Sequence, residues 1–329
     1  MDKEIKKGGD SIMNIIYFLI QQTMFFSIPL LIVALGGMFS ERSGVINIAL
    51  EGIMVMGAFI SIGFINVFQD RLSGQGLFLL AFLVAAAAGA VFSLLHAFAS
   101  VNLKADQTIS GTALNMFAPA FALFMARMVQ GKSQVPFTDT FHIEKVPVLG
   151  DIPVIGPMFF RNCYLSTYIG ILIFIAASVL ISRTRFGLRL RACGEHPQAA
   201  DSVGINVYKI RYAGVLISGV LAGVGGLIFV IPTSTNFNAS VAGYGFLALA
   251  VLIFGQWRTK GILGAAFFFG VLKTLASAYS GIPVIKDLPI PNEIYKMLPY
   301  VVTLIVLAFS SGKSKAPKAE GIPYDKGSR

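Results

Sequence analysis

Apolar runs of about 18 residues or more recur along almost the whole chain, and a run of that length crosses a hydrocarbon core of roughly 30 Å as a helix. No soluble domain of useful size fits between the runs. The predicted fold is therefore all-α, a polytopic bundle of transmembrane helices. Composition agrees, because 55% of the 329 residues are hydrophobic and 13% charged, against roughly 25% charged in soluble domains. The mean hydropathy is +0.75. A soluble enzyme is excluded.

Nine apolar segments can be drawn: Met13 to Leu35, Val45 to Phe68, Gly76 to Phe98, Gln107 to Val129, Tyr164 to Ile181, Tyr212 to Ile231, Tyr244 to Gln256, Gly261 to Ala278, and Ile294 to Phe309. The first is too long for a signal-peptide core and no small-residue cleavage site follows it, so it is expected to stay in the membrane. Between Gly131 and Cys163, Pro136, Pro147, Pro153 and Pro157 predict an irregular loop. The seventh segment is too short to span at about 1.5 Å per residue. Thr233 to Gly243 before it is rich in Thr, Ser, Asn and Gly, and reads either as an external loop or as irregular backbone lining a path through the membrane.

The net charge of +10 does not point to nucleic acid, since the basic residues flank apolar runs and report orientation instead. Arg183, Arg185, Arg189, Arg191, Lys209 and Arg211, set against Glu195 and Asp201, place the 183–211 loop in the cytoplasm. Arg42, Lys104, Arg258, Lys260 and the lysine-rich tail fall on the same side, with the Pro-rich loop and the loop around Asp287 opposite. The N-terminus then falls outside despite Lys3, Lys6 and Lys7. The division expected is a permease domain over 1–311 and a cytoplasmic tail over 312–329.

Cys163 and Cys193 are too far apart in sequence, and one too surely cytoplasmic, to suggest a disulfide. His96, His142 and His196 lack metal-ligand spacing, so no metal site is expected. Gly131-Lys132-Ser133 and Gly312-Lys313-Ser314 imitate the end of a phosphate-binding loop, but Ala126 and Leu307 stand where its first glycine belongs. If ATP drives this chain, another chain binds it.

Several polar residues fall inside apolar segments. Asn47 and Glu51 are four apart and share a helix face. A carboxylate near the bilayer centre costs about 2.5 to 3.5 kcal/mol; Glu51 is placed only a turn or two from the inner surface, where it either contacts substrate or caps backbone or pairs with Arg42. Gln107, Gly111 and Asn115 share another face, and the Asn115 amide can either recognise a polar solute or bond between helices. Phe237 and Phe246 flank the Asn/Ser/Gly stretch and either stack on a base or face lipid or the core. Gly219 and Gly223 have the small-xxx-small spacing of close helix packing. Lys273 must snorkel or find an acidic partner.

In the basic loop, Pro197 can open a short helix and Gly204 can close it. Ala199, Ala200 and Val203 would give that helix a small apolar face for another surface to approach. The same residues also suit a solvated basic loop.

Gly36-Gly37-Met38-Phe39-Ser40-Glu41-Arg42-Ser43-Gly44, running into Asn47-Ile48-Ala49-Leu50-Glu51-Gly52, resembles permeases of the branched-chain amino acid, ribose and nucleoside ABC importer family. Ala105 to Gly111 with Asn115, Gly187 to Glu195 with Pro197, Ala199, Ala200 and Gly204, Gly245 to Ala250 with Ile253 to Trp257, and Gly321 to Tyr324 are similar to its nucleoside branch. The resemblance covers nearly the whole chain. It implies a non-enzymatic transport subunit in a bacterial cytoplasmic membrane, paired with a second, commonly unlike permease. It further implies two ATPase subunits that hold ATP and magnesium and an extracytoplasmic substrate-binding lipoprotein, with no cofactor in this chain. Gly194, Glu195, Pro197, Ala199, Ala200, Val203 and Gly204 would then form the coupling helix. The expected cargo is a nucleoside, with ribose, other simple sugars or branched-chain amino acids as alternatives. An ion-driven transporter is disfavoured by the scarcity of membrane carboxylates.

Overall fold

The computed structural model describes residues 2–138, 141–278, 291–310 and 315–327. The loop around Asp287, Gly312-Lys313-Ser314 and Arg329 lie outside them.

All nine apolar segments are helical over most of their length, although the second, drawn from Val45, becomes helical only at Leu50. They fall on α1 (Asp2–Arg42), α2 (Leu50–Phe68), α3 (Gly74–Val101), α4 (Gln107–Gln130), α6 (Leu165–Arg183), α9 (Val207–Thr233), α10 (Tyr244–Phe254), α11 (Thr259–Ala278) and α12 (Asn292–Ser310). Short helices α5 (Ile155–Phe159), α7 (Arg185–Glu195) and α8 (Pro197–Ser202) lie in the connections. Seven of the described helices are long and apolar enough to cross a membrane; α10, with 11 residues, is not.

Helix α9 sits at the centre, packed by α1, α2 and α3. Lipid is as apolar as leucine, so burial alone does not drive such packing and small residues decide where backbones meet. Gly219 and Gly223 do this. A Cβ on Gly57 of α2 would lie 2.4 Å from the Gly223 Cα, and one on Gly89 of α3 would lie 2.1 Å from the Gly219 carbonyl oxygen. Helices α4 and α6 instead turn apolar faces outward, with Ile109, Met116, Met128, Leu172 and Ile175 exposed.

The two ends of the bundle differ in chemistry. At one end the Pro-rich loop is more ordered than its prolines suggest: β2 (His142–Lys145) pairs antiparallel with β3 (Arg161–Tyr164), and β1 (Val135–Pro136) with β4 (Asn236–Phe237). Gln21 of α1 donates to Pro157 O there, and Asn66 of α2 to Pro136 O. At the other end Arg42, Lys104, Glu195, Asp201, Arg211 and Trp257 come together through ion pairs and hydrogen bonds. The turns grouped by their positive charge thus share one end of the molecule.

Candidate functional site

Between α1 and α2 the chain leaves the helix, and residues 43–49 run through the bundle interior almost wholly buried. An unpaired peptide group in such surroundings costs several kcal/mol, so side chains must supply the partners a helix would have given. Ile46 N donates to Gln107 Oε1 at 2.7 Å, and Ile46 O lies 2.8 Å from His96 Nε2. Asn115 donates to Ile48 O at 2.8 Å and accepts from Gly52 N at 2.7 Å. Asn47 donates to Ser218 Oγ at 2.8 Å and accepts from Ala49 N at 3.1 Å. The amides of Asn47 and Asn115 and the Gln107 carbonyl oxygen are therefore committed to backbone and interhelical bonds, the structural one of the uses open to them, while the buried Gln107 Nε2 has no partner among the described residues. His96, passed over as lacking metal spacing, is a bridge whose second ring nitrogen meets Ser110 Oγ at 3.1 Å. The signal for it was a polar ring within an apolar helix.

Glu51 lies about two helical turns in from the basic end, as its sequence position suggested. Its neighbour Gly52 bonds to Asn115, eight residues along α4 from Gln107, or about 12 Å from the basic end. The irregular 43–49 segment carries the start of α2 into the bundle. Asn236, paired with Pro136, stands near the level of Asn66 at the loop end, and 15 residues of α2 separate Asn66 from Glu51, about 22 Å. Residues 236–243 connect the two levels as irregular backbone, bent at Ala239 and turning at 242–243, with φ +59° at Ala239 and +52° at Ala242. This supports the path reading of the Thr233–Gly243 stretch over an external loop. Thr235, Asn236, Asn238 and Ser240 keep exposed side chains along it.

At the bottom, Gly243 adopts φ +76° and α10 begins. Glu51 Oε1 accepts from Gly243 N at 2.9 Å and Oε2 from Gly245 N at 2.6 Å. A carboxylate is well matched to the positive end of a helix. Glu51 thus caps backbone and does not pair with Arg42, and two helix N-termini, those of α2 and α10, meet around it inside the bundle. Phe246 projects from α10 with 51% of its surface exposed, whereas Phe237 is 2% exposed and packed in the core. Of the two rings, Phe246 is the exposed one, free to face lipid or a solute. Lys273 has no acidic partner among the described residues; its ammonium lies 5.7 Å from the centre of the Tyr244 ring.

At the basic end α7 and α8 form an elbow. Thr184 caps α7 by accepting from Gly187 N at 3.1 Å; Pro197 opens α8, and Gly204 at φ +83° closes the turn. The faces differ from the expected single apolar patch. Ala200 is buried with Cys193, Val207 and Tyr324, and Pro197 is buried as well, while Ala199 is exposed and Val203 is 75% exposed. Residues three apart in a helix share a face, so 197 and 200 anchor while 199 and 203 present the knob. Gly194 is an anchor too: a Cβ there would lie 2.4 Å from Arg42 O. Glu195 Oε1 stands 3.7 Å from Arg42 Nη1.

The chain after α12 returns as a strap over this end. Ala319 N donates to Gly194 O at 2.8 Å, Gly321 N to Gly44 O at 3.2 Å, and Arg211 Nη1 to Ile322 O at 2.9 Å. Lys104 Nζ lies 2.8 Å from Asp325, Lys326 Nζ lies 3.6 Å from Asp201, and the Tyr324 ring packs on Tyr208. The tail is part of the platform and not a separate appendage. The Lys104 ammonium holds the Asp325 carboxyl below its ordinary range, burial pushes the Glu320 carboxyl up, and burial pushes the Cys193 thiol up to about 11.

Two helix N-termini thus meet inside the bundle, and a braced elbow stands at its basic end. Residues 19–307 match the family described as the branched-chain amino acid transport system permease component. The chain belongs to this family. Among its relatives, the guanosine ABC transporter permease protein NupQ of Bacillus subtilis is 45% identical over 97% of this chain and 99% of its own. The nucleoside ABC transporter permease protein NupC of Lactococcus lactis is 44% identical over 96% and 99%. A putative glucose ABC transporter permease protein of Haloferax volcanii is 29% identical over 89% and 91%. Like these permeases, the chain is a transport component and not an enzyme.

Proposed function

We propose that this permease subunit carries nucleosides across a bacterial cytoplasmic membrane by alternating access, driven by ATP hydrolysis in partner subunits. The observation that carries this is the α7–α8 elbow, with Ala199 and Val203 outward and Gly194, Pro197 and Ala200 locked to α1, α9 and the tail. A push on the knob then moves the bundle, because the anchors leave it no independent freedom. The basic elbow and tail lie on the cytoplasmic side by the positive-inside rule. An ATPase holding ATP and magnesium docks there, a second and unlike permease lies alongside, and a substrate-binding lipoprotein meets the Pro-rich loops opposite. The nucleoside cargo rests on similarity to the guanosine and nucleoside permeases. Exposed Asn236, Asn238 and Ser240 offer hydrogen bonds to ribose and base, and Phe246 offers a stacking face. Glu51, Asn47, Gln107 and Asn115 act as positioning residues that hold α2 and α10 in place.

The test is uptake by the assembled transporter in proteoliposomes. Val203→Glu should abolish ATP-dependent nucleoside uptake while leaving the thermal stability of the permease unchanged. Uptake by the permease without its ATPase, or undiminished uptake in Val203→Glu, refutes the proposal. Stabilisation of the receptor protein by sugars or branched-chain amino acids, and not by nucleosides, refutes the cargo alone.

A further inference from the structure

Beside the elbow lies a cavity of about 340 Å³ whose polar lining comes from Arg42, Ser182, Arg191, Arg258 and Thr259, with Trp257 at its wall. Arg42 spends one Nη on Trp257 O at 3.0 Å, and Arg191 spends its Nε on Gly187 O at 3.3 Å. Among the described residues the terminal nitrogens of Arg191 and the whole Arg258 guanidinium have no protein acceptor. Two carboxylates face these three cations, both through Arg42: Glu195, 3.7 Å from it, and Glu320, which also bonds to Glu41. Like charges held together repel, and a bound anion relieves them. Guanidinium forks match phosphate oxygens in particular. Helix α11 starts at Thr259, which turns its positive end toward the same space.

The position of the cavity selects among phosphate sources. Leu172, Ile175 and Val179 are exposed along α6, and Ser182 continues the same helical face to the cavity mouth. An acyl chain lying on that stripe delivers its headgroup to the arginines. We propose that this cavity binds the phosphate of an anionic phospholipid, seated where α6 leaves the hydrocarbon core. Basic pockets at this level between membrane helices suit such headgroups. The site lies outside the substrate path and does not depend on which cargo the permease carries.

Trp257 is the single tryptophan of the chain and reports on the cavity directly. The full-length chain in micelles is titrated with brominated phosphatidylglycerol or brominated phosphatidylcholine, and quenching of Trp257 is read. The anionic lipid should quench at markedly lower concentration. Arg191→Gln and Arg258→Gln should each cut the preference about fivefold, Ser182→Leu should block it without changing charge, and Arg189→Gln should leave it intact. Arg42 is kept, since its bond to Trp257 O is structural. Equal quenching by both lipids, or a preference that survives the Arg191→Gln/Arg258→Gln double variant, overturns the assignment. Millimolar inorganic phosphate that erases the preference identifies a free anion as the occupant and overturns the lipid source. Protection of these arginines only by the ATPase subunit, with no lipid preference in the chain alone, gives the cavity to that partner and also overturns it.

Discussion

Replacing Glu51 with Ala tests the junction on which the transport path is built. The substitution strands the Gly243 and Gly245 amides, bonded now at 2.9 and 2.6 Å, at a depth where water is scarce. Each buried donor left without an acceptor costs about 1 to 3 kcal/mol, so the start of α10 should lose about 2 to 6 kcal/mol. Even the lower figure corresponds to about a 30-fold faster local opening. Hydrogen exchange of the purified permease reads this at Gly243, Gly245 and Leu247, whose amide bonds back to Gly243 O. Glu51→Gln keeps one acceptor oxygen and should fall between Ala and the native residue. Exchange at these amides within about threefold of the native protein in Glu51→Ala would refute the cap, and with it the claim that α10 is pinned by α2.

Other outcomes follow from the same geometry. Gly57→Ala should lower the melting temperature, because its methyl lands 2.4 Å from the Gly223 Cα and overpacking costs about 1 to 3 kcal/mol. Gly63→Ala on the same helix, where nothing lies within 4 Å, should not. Cys193, buried under Tyr324, should react slowly with maleimide in a Cys163→Ser background, and Tyr324→Ala should speed labelling on the order of tenfold. The tail clasp should depend on pH in two directions. Asp325 is held below its ordinary value of 3.8, so its contribution is complete above that value and is lost as pH falls through the lowered one. Glu320 is raised above its ordinary value of 4.5, so its contribution is complete below that value and is lost as pH rises through the raised one. Limited proteolysis of the tail across pH should show greatest protection in mildly acid solution, and Glu320→Gln should remove the loss on the alkaline side.

Sequence alone determined the membrane class, the nine helical segments and the grouping of basic turns at one end, because length, apolarity and charge act locally and leave a linear record. It also placed the short helix between Pro197 and Gly204, since both residues constrain the backbone by themselves. Tertiary structure decided what the polar residues do. Asn47, Gln107 and Asn115 have the chemistry to bind a solute, and nothing in their spacing revealed that residues 43–49 would run unhelical through the interior and claim those amides. Counting placed Glu51 a turn or two from the surface, but only the fold set the start of α10 against it, where its carboxylate caps Gly243 and Gly245. Ala200 and Ala199 are chemically identical, and only the packing of Cys193, Val207 and Tyr324 around one of them separates anchor from knob. The tail gave no sign of docking, because its contacts reach residues up to 277 positions away, from Gly321 back to Gly44, and such pairings are fixed only once the helices between them have packed.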